Sequence, residues 1–168
     1  MKNIFITLII VLFGCSTQQS KISEEEVKEV INGMFYAIST ENDNPDLIYE
    51  YVTDDYILNE MGTQFNTESF LDLIATFNTI EDDWVLSDMK ISTDYNSAHI
   101  SLANKGRFVV NTDTGKTVLN YSWLESAYLV KQDGKLKIKF YFSDQVGFSQ
   151  EKLPVSYTHL TLPTILLV

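Results

Sequence analysis

Apolar side chains recur at Val27, Val30, Ile31, Met34, Phe35 and Ile38, three or four positions apart. That spacing predicts an amphipathic helix of about four turns with one face on a core. Ser23-Glu24-Glu25-Glu26, just ahead of it, has the form of a capping box, with Ser at N-cap and Glu at N3. Asn44-Pro45 opens a second, short helix through an N-cap and an N1 proline, and this helix carries Leu47, Ile48 and Tyr51. A short strand is predicted at 56–58. Asn66 or Thr67 then caps a third helix with Phe70, Leu71, Ile74 and Phe77 on one face.

From Trp84 the period changes from helical to alternating. Strands are predicted at 84–93, 97–110, 118–131 and 135–142, with Gly106 as a bulge in the long second one. The segment Asn111–Gly115 and the pair Asp133-Gly134 separate the last three, and the latter is a strong two-residue hairpin signal. Helices followed by a meander predict an α+β fold, with three N-terminal helices packed on one face of a curved antiparallel sheet. A two-residue turn at Asp133-Gly134 pairs Leu129 with Ile138, Ala127 with Phe140 and Glu125 with Phe142 on one face. It places Val130, Lys137, Tyr128, Lys139, Ser126 and Tyr141 on the other, which the lysines mark as the solvent side. Glu125 then stands on the apolar face with Tyr121 and Trp123.

Composition narrows the function classes. Apolar residues make up 45% of the 168 and charged residues 21%, the balance of a globular chain. The net charge is −11, and Lys2 alone of the 12 basic residues precedes Cys15. So acidic a domain is not expected to bind nucleic acid or an anionic membrane surface by charge. Two histidines and one cysteine leave no zinc set, and no calcium-loop pattern is present, so no metal is expected. Gly115-Lys116-Thr117 imitates the end of a phosphate-binding loop. Val110 stands where its first glycine belongs, however, and a hairpin is predicted there; no cofactor is expected. Asp54-Asp55 and Asp82-Asp83 read as caps or solvated turns, and His99 as a solvated imidazole.

The two ends differ from the middle. Lys2, the apolar run Ile4–Phe13 and Gly14 have the layout of a signal peptide whose apolar stretch is too short to span a bilayer. Leu12-Phe13-Gly14-Cys15 resembles the bacterial lipobox, with Phe13 where a smaller residue is usual. The resemblance implies cleavage before Cys15 and lipidation of its thiol. The implied organisation is a signal peptide at 1–14, a polar tether at 15–22 and a domain at 23–153. That domain would be lipid-anchored in a bacterial cell envelope, facing the periplasm or the outside. From Pro154 the chain carries no fixed charge, and VSYTHLTLPT resembles translated sequencing-adapter read-through; 154–168 is set aside as a non-native tail.

Trp123-Leu124-Glu125, Tyr128-Leu129-Val130-Lys131 and Asp133-Gly134-Lys135-Leu136-Lys137-Ile138 resemble the closing hairpin of the NTF2-like superfamily, its SnoaL-like and DUF4440-like branches in particular. Leu136 stands where an aromatic is commoner. The resemblance covers about residues 23–146 and implies a cone-shaped fold whose concave sheet face lines a pocket. Glu125 would be a pocket acid, its pKa raised among apolar neighbours. Tyr36, Tyr56, Tyr121 and Trp123 are candidate ligand-binding residues, with core packing as their alternative role. Two functions follow as expectations. One is non-catalytic binding of a small apolar ligand or a protein partner. The other is a SnoaL-like isomerase or hydrolyase using Glu125 as general base, with a tyrosine hydroxyl steadying an enolate. A homodimer through the convex sheet face, carrying Lys137, Lys139, Tyr128 and Tyr141, is also expected.

Overall fold

A computed structural model describes residues 20–154. Cys15, with the rest of the expected signal peptide and most of the expected tether, and residues 155–168 lie outside the described residues. The chain begins with helix α1 (Glu24–Ala37) and a 3₁₀ helix (Pro45–Glu50). Next come strands β1 (Val52–Glu60) and β2 (Thr63–Phe65), then helix α2 (Thr67–Ala75). It closes with four long strands, β3 (Thr79–Thr93), β4 (Ser97–Thr112), β5 (Gly115–Gln132) and β6 (Lys135–Lys152). Among the described residues no helix is long and apolar enough to cross a membrane.

The helix starts follow their local chemistry. Ser23 Oγ accepts from Glu26 N at 3.1 Å, and the Glu26 carboxylate accepts from Ser23 N at 2.8 Å, closing the predicted box. Ile22, expected in the tether, is 2% exposed, and its N–H donates to the Asp94 carbonyl. Ile22 and Val27 hold the two positions of a hydrophobic staple around that cap, and both are in the core. Asn66 caps α2 in the same reciprocal way, exchanging hydrogen bonds with Ser69. The second helix is a 3₁₀ turn capped by Asn44.

The sheet has six strands in the order β2-β1-β6-β5-β4-β3 and curves around the helices. It departs from the expected antiparallel sheet at one place: β1 runs parallel to β6. β1 and β6 are far apart in the chain, and alternation sets which side chains share a face, not which strand lies alongside or in which direction. β6 also continues ten residues past the predicted end, to Lys152. Its last residues are exposed on both faces, so they show no alternation, yet their backbone pairs with the start of β5.

Asp133 and Gly134 both have positive φ, 52° and 80°, and Gln132 pairs with Lys135 as the two-residue turn requires. The predicted pairing holds at Leu129–Ile138 and then shifts. A bulge at Lys139 pairs Tyr128 with Phe140, Ala127 with Tyr141 and Glu125 with Ser143. One extra residue turns β6 over as far as a second bulge at Val146, where Trp123 pairs with Gln145 and Ser122 with Gly147. Tyr141, expected on the convex solvent side, is therefore 2% exposed on the concave side, and Phe142 is 45% exposed in its place. Tyr141 is thus removed from the expected dimer face. Gly106 is not a bulge: it pairs in register with Trp84 and Tyr121. A Cβ there would lie 2.6 Å from the Phe108 ring and 3.0 Å from the Trp123 ring, so the position is small because aromatics crowd it.

Helix α1 packs against β6 and β3, and α2 against β1 and β2. The fully buried core (Val27, Ile31, Ile48, Val52, Ile100, Leu129 and Ile138) fills one half of the concave face. The other half stays open beneath α2. That helix keeps Phe70, Leu71 and Ile74 half-buried, with a hollow below its apolar face in place of packed side chains.

Candidate functional site

The hollow is a cavity of about 680 Å³ between α1, α2 and the concave face of the sheet. Even-numbered residues of β4 and odd-numbered residues of β5 face it, because successive side chains of a strand alternate. Phe108, Val110, Leu119, Tyr121 and Trp123 form one wall, and Trp84, Phe35 and Phe70 close the other sides. The rings contact one another. Tyr121 stacks on Trp123 with centroids 5.1 Å apart, and Trp84 meets Phe108 edge-on at 4.8 Å and Phe35 at 4.9 Å.

A row of polar groups crosses the sheet side of the cavity. Glu60 of β1 and Glu125 of β5 both pair with Ser143 of the intervening strand β6, so the three form one row across the sheet. Adjacent strands are about 4.8 Å apart, which sets the two glutamate backbones on the order of 10 Å from each other. Glu125 is 8% exposed. Its Oε2 accepts from the Tyr141 hydroxyl at 2.8 Å and its Oε1 from Ser143 Oγ at 3.4 Å. Burial pushes its pKa up to about 7. The donors Tyr141, Asn104 and Ser143 oppose that rise, and the charge of Glu60 adds to it. Burial also raises the pKa of Glu60, opposed by the nearby Trp123 indole. Tyr56 and Tyr141 are held well above the usual phenol range, by burial first and then by the charge of Glu125.

Two buried side chains in this region lack hydrogen bonds among the described residues: both amide atoms of Asn104, and Trp123 Nε1. The Asn104 amide lies near enough to Glu125 to affect its titration but outside hydrogen-bonding geometry. Buried polar groups are normally satisfied, so these mark where a polar partner is accepted at little cost.

The structure brings Glu125, Tyr56, Tyr121 and Trp123 to this one cavity. It does not bring Tyr36, which is 49% exposed on α1 and borders an adjoining surface depression that shares Phe35, Ser39, Asp82 and Trp84 with the cavity. Asp54 and Asp55 are surface residues, held by Gln132 and Lys139 respectively, and His99 is exposed. No cluster of metal-ligating side chains exists among the described residues. Of the groups not foreseen, two were within reach of the alternation: Glu60 follows Tyr56 and Leu58 on one face, and Asn104 interrupts Ala98, Ile100 and Leu102. Tyr141 and Ser143 were hidden by the Lys139 bulge.

No family model and no curated protein matches this chain. Its fold does match solved structures. A type 2 hexachlorocyclohexane dehydrochlorinase, LinA, superposes with a TM-score of 0.63 at 12% identity, over 84% of this chain and 94% of the other. An NTF2-like protein of Cytophaga hutchinsonii gives 0.60 at 12% identity, over 74% of this chain and 100% of the other. The CaMKII hub of S. rosetta gives 0.57 at 16% identity, over 72% and 95%. The chain therefore has the NTF2-like fold. Proteins similar to it in fold include an enzyme and an assembly domain, so the fold defines a class and leaves the activity to the site.

Proposed function

We propose that the domain binds a small, largely apolar molecule in the cavity, with the ligand's polar end at Glu125. The observation that carries this reading is an aromatic-lined hollow of about 680 Å³ crossed on its sheet side by a polar row, Glu60, Ser143 and Glu125. Ligand sites typically enclose about 300–1,000 Å³, with a few placed polar groups in a mostly apolar lining. The test is titration with the neutral fluorophore N-phenyl-1-naphthylamine. Saturable one-to-one binding that is lost in Leu119→Trp, which fills the hollow, is expected. Absence of binding, or binding indifferent to that substitution, would overturn the reading.

A second reading is favoured by one observation: Glu125 lines the cavity with a pKa of about 7, where a carboxyl is an effective proton acceptor at neutral pH. In this reading Glu125 takes a proton from a carbon acid in an isomerase or hydrolyase. Tyr141 already donates to Glu125, so Tyr56, the other tyrosine beside it, would steady the resulting oxyanion. Proton–deuterium exchange into a bound ketone, lost in Glu125→Gln, would be its signature.

The lipobox-like segment supports an anchored protein in the bacterial envelope. Cys15→Ser should move the chain from the membrane to the soluble fraction. The convex sheet face supports a homodimer, since Leu124, Tyr128 and Phe142 are all more than two-fifths exposed there.

A further inference from the structure

From the charges and rings that line the cavity, we infer that its ligand carries a positive charge: an aromatic or aliphatic amine, or a quaternary ammonium group. This deepens the binding reading above and rests on it. Three carboxyl groups, Glu60, Asp82 and Glu125, lie among the described lining residues, and no lysine, arginine or histidine does. An anionic ligand would find no counter-charge in a partly dry site, which is costly.

The walls suit a cation equally. Trp84, Trp123, Tyr121 and Phe108 present contiguous π surfaces, and a cation within about 6 Å of such a ring is attracted by its quadrupole, more strongly when desolvated. Glu60 and Glu125 flank Ser143 in one row across the sheet. Each carboxyl also has donors at hand that hold its ionised form: Tyr141 and Ser143 at Glu125, and the otherwise unpartnered indole of Trp123 beside Glu60. Asp82, at the rim, is already held as an acceptor by Trp84 Nε1 and Thr40 N, at 2.7 and 2.6 Å. Without a counter-charge, burial raises the pKa of both glutamates. A bound cation supplies that counter-charge, so binding is coupled to proton release.

The titratable groups facing Glu125 are Tyr56 and Glu60 from β1 and Tyr141 from β6. β4 offers Leu102 and Asn104, and α1 offers Met34 and Phe35, none of which titrates. Raising the pH ionises Glu125, so affinity for a permanent cation rises through pH 7 while affinity for a neutral molecule does not.

The experiment compares three probes on the purified protein by calorimetry: phenyltrimethylammonium, its neutral isostere tert-butylbenzene, and the anion 4-tert-butylbenzoate, which adds a carboxylate to that isostere. At pH 8 the cation is expected to bind at least about tenfold more tightly than the neutral isostere, in the range of a desolvated cation–π contact with a charge partner. The benzoate should bind weakest. The cation's advantage should shrink towards pH 5.5 in the wild-type protein, and Glu125→Gln should flatten that pH dependence. Equal binding of cation and isostere at pH 8, or tighter binding of the benzoate, overturns the inference and leaves the cavity reading standing. Failure of all three to bind overturns both.

Discussion

Glu125 is the residue on which most of the site turns. Its ordinary pKa is near 4.5 and its folded value about 7, so the native state holds a proton that the unfolded chain gives up. The sign follows: between about pH 4.5 and 7 the native state binds more protons, so stability falls as pH rises through that window and levels off above it. A shift of that size corresponds to roughly 3 kcal/mol. Urea unfolding of wild type and Glu125→Gln at pH 4.5 and pH 8 should show the wild type losing about that much relative to the variant. Tyr141→Phe removes the 2.8 Å hydrogen bond that favours the ionised carboxyl. Glu125 should then titrate above 7 by carbon-13 NMR. The stability cost, about 1.5–3 kcal/mol for a bond to a charged acceptor, should appear at pH 8 and be smaller at pH 5.

At the scale of elements, the decisive feature is the bulge at Lys139. Removing that residue closes the bulge without turning the strand over: Phe140 then follows Ile138 directly, Tyr141 still pairs with Ala127 on the concave side, and only the local bend is lost. Deleting Lys139 should therefore keep Tyr141 buried against Glu125, read as an unchanged carbon-13 titration of Glu125, and cost about 1 kcal/mol for the lost bend. Lys139→Ala, which loses only an exposed pair with Asp55, should leave the unfolding midpoint essentially unchanged. Gly106 tests the other wall. Gly106→Ala forces a methyl against the Phe108 and Trp123 rings and should cost about 1–3 kcal/mol by overpacking, with a changed near-ultraviolet circular dichroism spectrum as the aromatics move.

For the whole molecule, the sheet's two faces have different roles. The concave face is divided between a packed core and the cavity, and the convex face leaves Val85, Leu124, Tyr128 and Phe142 exposed. A patch of that kind is commonly covered by another surface. Sedimentation velocity of residues 20–154 should give a dimer, and Leu124→Lys with Phe142→Lys should give a monomer that still binds N-phenyl-1-naphthylamine. A wild-type monomer at high concentration would leave the convex face without a second copy.

The division between sequence and tertiary structure follows the range of the forces involved. Local chemistry is written in the chain. The Ser23 and Asn66 caps, the helical period after Val27, the alternation from Trp84 and the Asp133-Gly134 turn all act over a few residues, and each predicted element formed. The same alternation placed Glu125 on the apolar face of β5, because its own strand runs without interruption through that stretch. What the chain did not display was pairing: that β1 lies parallel against β6, that β6 runs on to Lys152, and that one extra residue at Lys139 turns Tyr141 and Ser143 inward. Those depend on how far a curved sheet must bend to keep its core packed on one side and hollow on the other, a requirement that no short window of sequence contains.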